Sequence, residues 1–360
     1  MNNKIFFSVG PTEIFPEVKK FYSEGFREKL FSVHHRSNEF ENIHSETVAN
    51  LKKLLNFTGH KIFFFSSATE CMERVILNLV DKSSFHYING YFAQRFSNIA
   101  KQYGKLPIEL ICESGKSFFD EGDDNFIDED AELICFTLNE TSMGTALPIS
   151  EIVKIKKLYP EKIIVLDAVS ALPFYEIDFE YVDCAFFSVQ KGFGMPPGLG
   201  VLIVNDICLS KADFLSQING NEISAFNFNK YSENFNKNQT SYTPNIPAIY
   251  VLGKVCDLML KKGLGKIRKE TDNKYNLLDN FISGSDIFSH FVKRPEDRSK
   301  TTIAVNTKLT SSEVVKKLNA SGFVVSRGYG EYKDYQIRIG NFPVHKIQDF
   351  KNLINELNKL

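Results

Sequence analysis

Two apolar runs, each ending in a charged residue, constrain this chain more than any other feature. In Asp183-Cys-Ala-Phe-Phe-Ser-Val-Gln-Lys191-Gly-Phe-Gly-Met-Pro-Pro-Gly198, residues 185–189 read as a buried strand. The Gly/Pro-rich loop that follows can continue neither strand nor helix. Upstream, Ile163-Ile-Val-Leu-Asp167 is a second such run, ending in a carboxylate. Strands this uniformly apolar belong to a sheet covered on both faces, and in parallel α/β sheets ligands bind at the C-terminal edge. One crevice would then receive an amine and an acid. A loop lysine that simply meets solvent is the ordinary alternative. The chemical alternative is an amine whose pKa is lowered by burial, able to attack an aldehyde and hold it as a Schiff base. Pyridoxal 5'-phosphate asks for both groups: a lysine for its aldehyde, and an acid to keep its pyridine nitrogen protonated as an electron sink.

Other stretches add anion sites and hydroxyls. Lys61–Phe65 reads as a strand, and Ser66-Ser67-Ala68-Thr69-Glu70 opens a helix with Met72, Val75, Ile76 and Leu79 on one face. Small residues there bare N–H groups at the positive end of the helix dipole, a seat for phosphate. Ser67 with Glu70 also fits a capping box, and the two readings are compatible. Phe92 follows the short strand 85–88. Thr141 stands in Asn139-Glu-Thr141 after the strand 133–137, where its hydroxyl can donate to a ligand or to its own turn. His35 and Arg36 precede a helix whose apolar positions are Phe40, Ile43, Thr47, Val48, Leu51, Leu54 and Leu55, with Ser37 as N-cap. Alternation puts Gln336 and Arg338 on one face of a strand over 335–339, with Tyr335, Ile337 and Ile339 on the other. An arginine fork there can grip a carboxylate bidentately.

Taken in order, Gly10-Pro11, His35-Arg36-Ser37, Asn139-Glu140-Thr141, Asp167, Gln190-Lys191 and Arg338 resemble the class V aminotransferases of fold type I, in the phosphoserine and alanine–glyoxylate group. The resemblance covers nearly the whole chain. It implies an α/β fold: a large α/β domain with a mostly parallel sheet, plus a smaller α+β C-terminal domain. The divisions expected are an N-terminal segment over 1–15 packing with the small domain, a cofactor domain over 16–245, and a small domain over 246–360. It implies pyridoxal phosphate held covalently by Lys191, with Asp167 at the ring nitrogen and Phe92 stacked on the ring. Ser67, Ala68 and Thr69 would bind the phosphate, and Thr141 and Gln190 would bond to the ring. Tyr242 and Thr243 would reach the neighbour's phosphate from the polar stretch 205–245, which the sequence itself offers only as a long loop. Arg338 would take the substrate carboxylate, and His35 and Arg36 an anionic group across a homodimer interface. Lys191 would also move the α-proton of amino-acid and 2-oxo-acid substrates in a ping-pong cycle.

The chain departs from the pattern in places. The phosphate turn lacks the family's usual glycines, and Thr69 stands where some phosphoserine enzymes carry arginine. Arg338-Ile-Gly-Asn leans toward the alanine–glyoxylate branch. Phosphoserine with 2-oxoglutarate is the leading substrate reading, with alanine–glyoxylate or serine–pyruvate transfer as the alternative. Cysteine desulfurases share the fold, but the sequence offers no clear reactive loop cysteine. A nicotinamide dehydrogenase lacks its Gly-x-Gly-x-x-Gly after any early strand. A non-catalytic protein on this fold is disfavoured by the intact Asp167/Lys191 pair.

Composition narrows the setting. Lys plus Arg number 43 against 44 acidic residues, a net charge of −1, which disfavours nucleic-acid and anionic-membrane partners. Six scattered cysteines without a Cys-x-x-Cys pair, and an N-terminus without a signal-peptide core, lead to a cytoplasmic expectation. The histidines show no metal-ligand spacing, so no metal is expected. With 33 Phe and no Trp, any stacking ring must be Phe, Tyr or His.

Overall fold

Within each apolar run, alternate residues face opposite sides of a seven-stranded sheet, and both sides are covered. The computed structural model describes residues 4–117, 127–220 and 224–360. Met1–Asn3 of the N-terminal segment, and residues 221–223 of the polar stretch, lie outside the described residues. The strand order is Lys61–Phe65, Gly200–Val204, Cys184–Ser188, Ile163–Asp167, Leu133–Thr137, Ser83–Ile88 and Leu106–Ile111. All pairings are parallel except those of Gly200–Val204, which runs against both neighbours. Ile164, Leu166, Ala185 and Phe187 join one core with the helices Asn38–Leu55 and Ile246–Lys262. Ile163, Val165, Cys184 and Phe186 join the other, with the helices Ala68–Leu79, Tyr91–Gln102 and Asp206–Asn219. This double coverage is why the strands read as unbroken apolar runs.

A four-stranded antiparallel sheet, in the order Phe288–His290, Thr302–Thr307, Gln336–Gly340 and Ser326–Arg327, carries a third core. The helices Leu264–Ser283, Ser311–Ala320 and Ile347–Leu357 close it. Near the N-terminus, Ile5–Phe6 pairs in parallel with Phe323–Val324, and Phe7 is buried in this third core. The chain then crosses to the large sheet, where the Thr12 N–H donates to the Gln190 carbonyl at 3.1 Å.

Three expectations need correction. The stretch 205–245 is not one long loop, because it holds the helices Asp206–Asn219 and Phe228–Phe235. Asn205 caps the first by accepting from the Cys208 N–H, and Cys208, Ala212, Leu215 and Ser216 bury one face at helical spacing. The stretch 323–326, whose residue types read as one strand, forms two short pieces paired to different partners. Tyr335 ends a 3-10 turn just before the strand and is exposed, while Gln336, Ile337, Arg338 and Ile339 are all buried. No helix among the described residues is long and apolar enough to cross a membrane.

Candidate active site

Asp167 and Lys191 meet where the sheet's C-terminal edge faces the smaller sheet. The two edge residues share a cavity of about 270 Å³ with Ser67, Ala68, Thr69, Phe92, Thr141, Gln190 and Arg338. Nine of the thirteen residues singled out from sequence therefore converge.

Lys191 is 6 % exposed, and its ammonium has no carboxylate within ion-pair distance among the described residues. Nζ donates instead to Thr141 Oγ1 and Ser170 Oγ, each at 2.8 Å, and lies 5.4 Å from the centre of the Phe92 ring. Burial lowers its pKa to about 8, with Asp167 and Glu140 opposing the shift. Backbone closes over the stem: a Cβ on Gly10, whose φ is +142°, would sit 2.6 Å from Lys191 Cε. Only glycine lets the N-terminal segment lie there.

Asp167 stands opposite Thr137 and Phe186 in the sheet register. Its Oδ1 accepts from the Val169 N–H at 2.9 Å. Burial raises its pKa, an effect that the nearby Lys191 charge opposes. Thr137 Oγ1 and Gln190 Oε1 line the same cavity as buried atoms without a hydrogen-bond partner.

The turn that opens the helix Ala68–Leu79 is half of a capping box. Ser67 Oγ accepts from the Glu70 N–H at 3.1 Å, but the Glu70 carboxylate reaches back one residue further, to Ser66 N at 2.9 Å. The first-turn N–H groups of Ala68 and Thr69 have no intrahelical acceptor, and both residues line the cavity.

Arg338 is largely buried, and its guanidinium donates only to backbone carbonyls, Arg327 O and Thr141 O, both at 3.0 Å. Burial lowers its pKa to about 10 without discharging it near neutral pH.

His35, Arg36, Tyr242 and Thr243 do not line this cavity. Arg36 donates to Asn234 Oδ1 at 2.6 Å and Gln239 Oε1 at 2.7 Å. Tyr242 and Thr243 line a separate cavity with Phe65, Ser66, Glu70 and Arg74.

Several lining or supporting residues escaped the sequence reading. Ser170, three residues past Asp167, shares Lys191 with Thr141. Tyr329, in Gly328-Tyr-Gly330, faces Phe92 with ring centres 5.8 Å apart and lies 5.4 Å from the Arg338 guanidinium carbon. Arg95, one helical turn after Phe92, also lines the cavity. No local signal marks Tyr329, because its position depends on how the two sheets meet.

Glu140 is the main support. Fully buried, its carboxylate accepts from Phe92 N (3.0 Å), Ala93 N (3.1 Å), Ser142 N (2.9 Å) and Ser142 Oγ (2.6 Å). It thereby pins the start of the Phe92 helix to the Thr141 turn, and Gly90 leaves room for it, since a Cβ there would meet Glu140 Cγ at 2.4 Å. Glu140→Ala strands three buried N–H groups and should cost about 2–4 kcal/mol. Thermal unfolding of the variant should show a midpoint several degrees lower. An unchanged midpoint would mean that water replaces the carboxylate.

The fold and this cavity define a transaminase. The aminotransferase class-V family profile matches residues 5–331, and the chain belongs to that family. Among solved structures it is similar to the phosphoserine aminotransferase SerC of Cytophaga hutchinsonii, with a TM-score of 0.96 and 38% identity, covering 100% of this chain and 99% of that one. The alanine–glyoxylate aminotransferase of Nostoc sp. shares the fold at a TM-score of 0.86 and 19% identity, over 100% and 95% of the two chains. A putative phosphoserine aminotransferase of Mycolicibacterium vanbaalenii is 27% identical over 356 residues, 96% of this chain and 92% of the relative.

Proposed function

We propose that this aminotransferase uses pyridoxal 5'-phosphate and exchanges amino groups between phosphoserine and 2-oxoglutarate. The observation that carries the cofactor reading is the Lys191 amine, buried without a carboxylate partner and held between two hydroxyls. The donor set fits the group: an amine for its aldehyde, Asp167 for its ring nitrogen, the Ala68 and Thr69 N–H groups for its phosphate, and partnerless polar atoms on Thr137 and Gln190. A phosphoserine aminotransferase from Trichomonas vaginalis that shares this fold is described as PLP-bound, with a TM-score of 0.79 and 17% identity. When bound, the cofactor supplies an electrophilic carbon and a sink for the electron pair left at the substrate Cα.

The chain's own residues do the rest. Arg338 presents two N–H edges to the substrate carboxylate and so orients the Cα–H bond. Lys191, with a lowered pKa, takes up the Cα proton and returns it. Phe92 covers one face of the site and Tyr329 narrows its mouth, which limits water. A second copy of the chain would bring Arg36, Tyr242 and Thr243 to the cavity, and their separation from the chain's own cavity supports a shared-site homodimer.

The near full-length likeness to the Cytophaga hutchinsonii phosphoserine aminotransferase supports phosphoserine as donor. Thr69, and the run Arg338-Ile-Gly-Asn341, favour alanine–glyoxylate transfer as the second reading. Donor half-reactions separate the two. The holoprotein, without acceptor, is titrated with L-phosphoserine, L-glutamate, L-alanine and L-serine while the chromophore absorbance is followed. Rapid bleaching by phosphoserine and glutamate is expected, with Arg36→Ala weakening the phosphoserine response alone. Bleaching by alanine or serine, with phosphoserine inert, would assign the other branch.

A further inference from the structure

Arginine partners across the chain divide unevenly. Arg27, Arg74, Arg268, Arg294, Arg298 and Arg327 each pair with a carboxylate. Arg36, Arg95 and Arg338 have no carboxylate partner among the described residues. Two of these three, Arg95 and Arg338, line the Lys191 cavity. Arg338 is steadied by two carbonyls, whereas Arg95 has no hydrogen-bond or ion-pair partner at all among the described residues. Arg95 is exposed, so its guanidinium is solvated, and at the wall of a substrate cavity it is available to an anion from outside the chain.

The two arginines stand on different parts of the molecule. Arg338 comes from the Gln336–Gly340 strand of the small sheet, and Arg95 from the first half of the Tyr91–Gln102 helix against the large sheet. Tyr329 lies beside Arg338 and faces Phe92, one helical turn before Arg95, and all four residues line the cavity. Arg95 follows Phe92 by three residues and therefore shares its helix face. Thr69 and Met72 of the neighbouring helix also line the cavity and offer no charge. The open N–H groups of Ala68 and Thr69 already provide for the cofactor phosphate, which leaves Arg95 for the substrate.

The geometry points to Arg95 as a specificity-determining residue that binds the second, distal anion of a substrate whose carboxylate sits on Arg338. The inference rests on the transaminase substrate reading above, and it names the substrate class: amino and oxo acids with a side-chain carboxylate or phosphate. Both anions have the chemistry a guanidinium fork recognises.

The test uses holoprotein and three ligands that cannot transaminate: glutarate, 3-phosphoglycerate and butyrate, with binding measured by calorimetry. In Arg95→Gln, affinity for glutarate and 3-phosphoglycerate relative to butyrate should fall on the order of 30-fold, the loss typical of one charge-assisted hydrogen-bonded contact. Arg95→Lys should restore part of that ratio. A fall for 3-phosphoglycerate alone supports a phosphate site, and one for glutarate alone a carboxylate site. Equal losses for all three ligands, or loss of bound cofactor with the ratio unchanged, would overturn the inference. If no amino donor bleaches the wild-type chromophore, the substrate reading fails separately, because the ligand ratio is measured without turnover.

Discussion

Lys191→Ala should lower transaminase turnover by about 10⁴-fold or more, because the substitution removes both the covalent anchor and the base that handles the Cα proton. The side chain's setting explains the size of the effect. Lys191 is the one amine lining this cavity, and the residues nearest to it, Thr141 and Ser170, are hydroxyls that cannot replace a base of its strength. The loss should fall mainly on kcat, since Arg338 still grips the substrate carboxylate. Adding a primary alkylamine to the variant should restore part of the rate, an outcome that a folding defect would not give. In the wild type, only the unprotonated amine attacks an aldehyde. Apoprotein should therefore capture the cofactor faster as pH rises toward about 8 and level off beyond it, well below the ordinary lysine value of 10.5. Stopped-flow absorbance across pH 6 to 10 would check this. A rate still climbing near pH 10 would mean that burial does not lower the Lys191 pKa.

The second large effect is expected at Asp167. An asparagine there keeps the shape and the contact to the Val169 N–H, but it cannot balance a protonated ring nitrogen. Turnover should drop roughly 10³-fold, the scale on which a single preorganised electrostatic contact acts. The apoprotein should behave oppositely. Burial opposes the Asp167 charge, so the neutral amide should leave the thermal midpoint unchanged or higher. Activity lost alongside stability lost would mark Asp167 as a folding residue and remove it from the cofactor site.

The sequence reading located most of the core elements, because their signals are local. The runs over 163–167 and 185–189, the helix begun by Ser37 and the helix after Ser67 all lie within a residue of where apolar periodicity and caps put them. It failed where the signal was diluted. In the helix Asp206–Asn219, a single buried stripe among polar residues resembles loop composition, and it becomes a helix by packing against Ala68–Leu79. Residues 323–326 look like one strand, yet they divide because Phe323–Val324 pairs with the N-terminal Ile5–Phe6, a partner more than three hundred residues away in the chain.

By itself, the sequence determined the chemistry: a lysine and an acid at the ends of neighbouring buried strands, a small-residue helix start, and an arginine on a late strand. Those features depend on residue type and on spacing within single elements, which physical chemistry reads locally. Only the tertiary structure decided which hydroxyls hold the lysine, which carboxylate clamps the Phe92 helix, and which arginine is left without a partner. Ser170 and Arg95 are unremarkable as letters, and Glu140 stood out only within the string Asn139-Glu140-Thr141. Their roles come from contacts between elements: burial leaves Ser170 and Glu140 to find partners within the protein, whereas Arg95 stays exposed and is placed at the cavity wall by its helix.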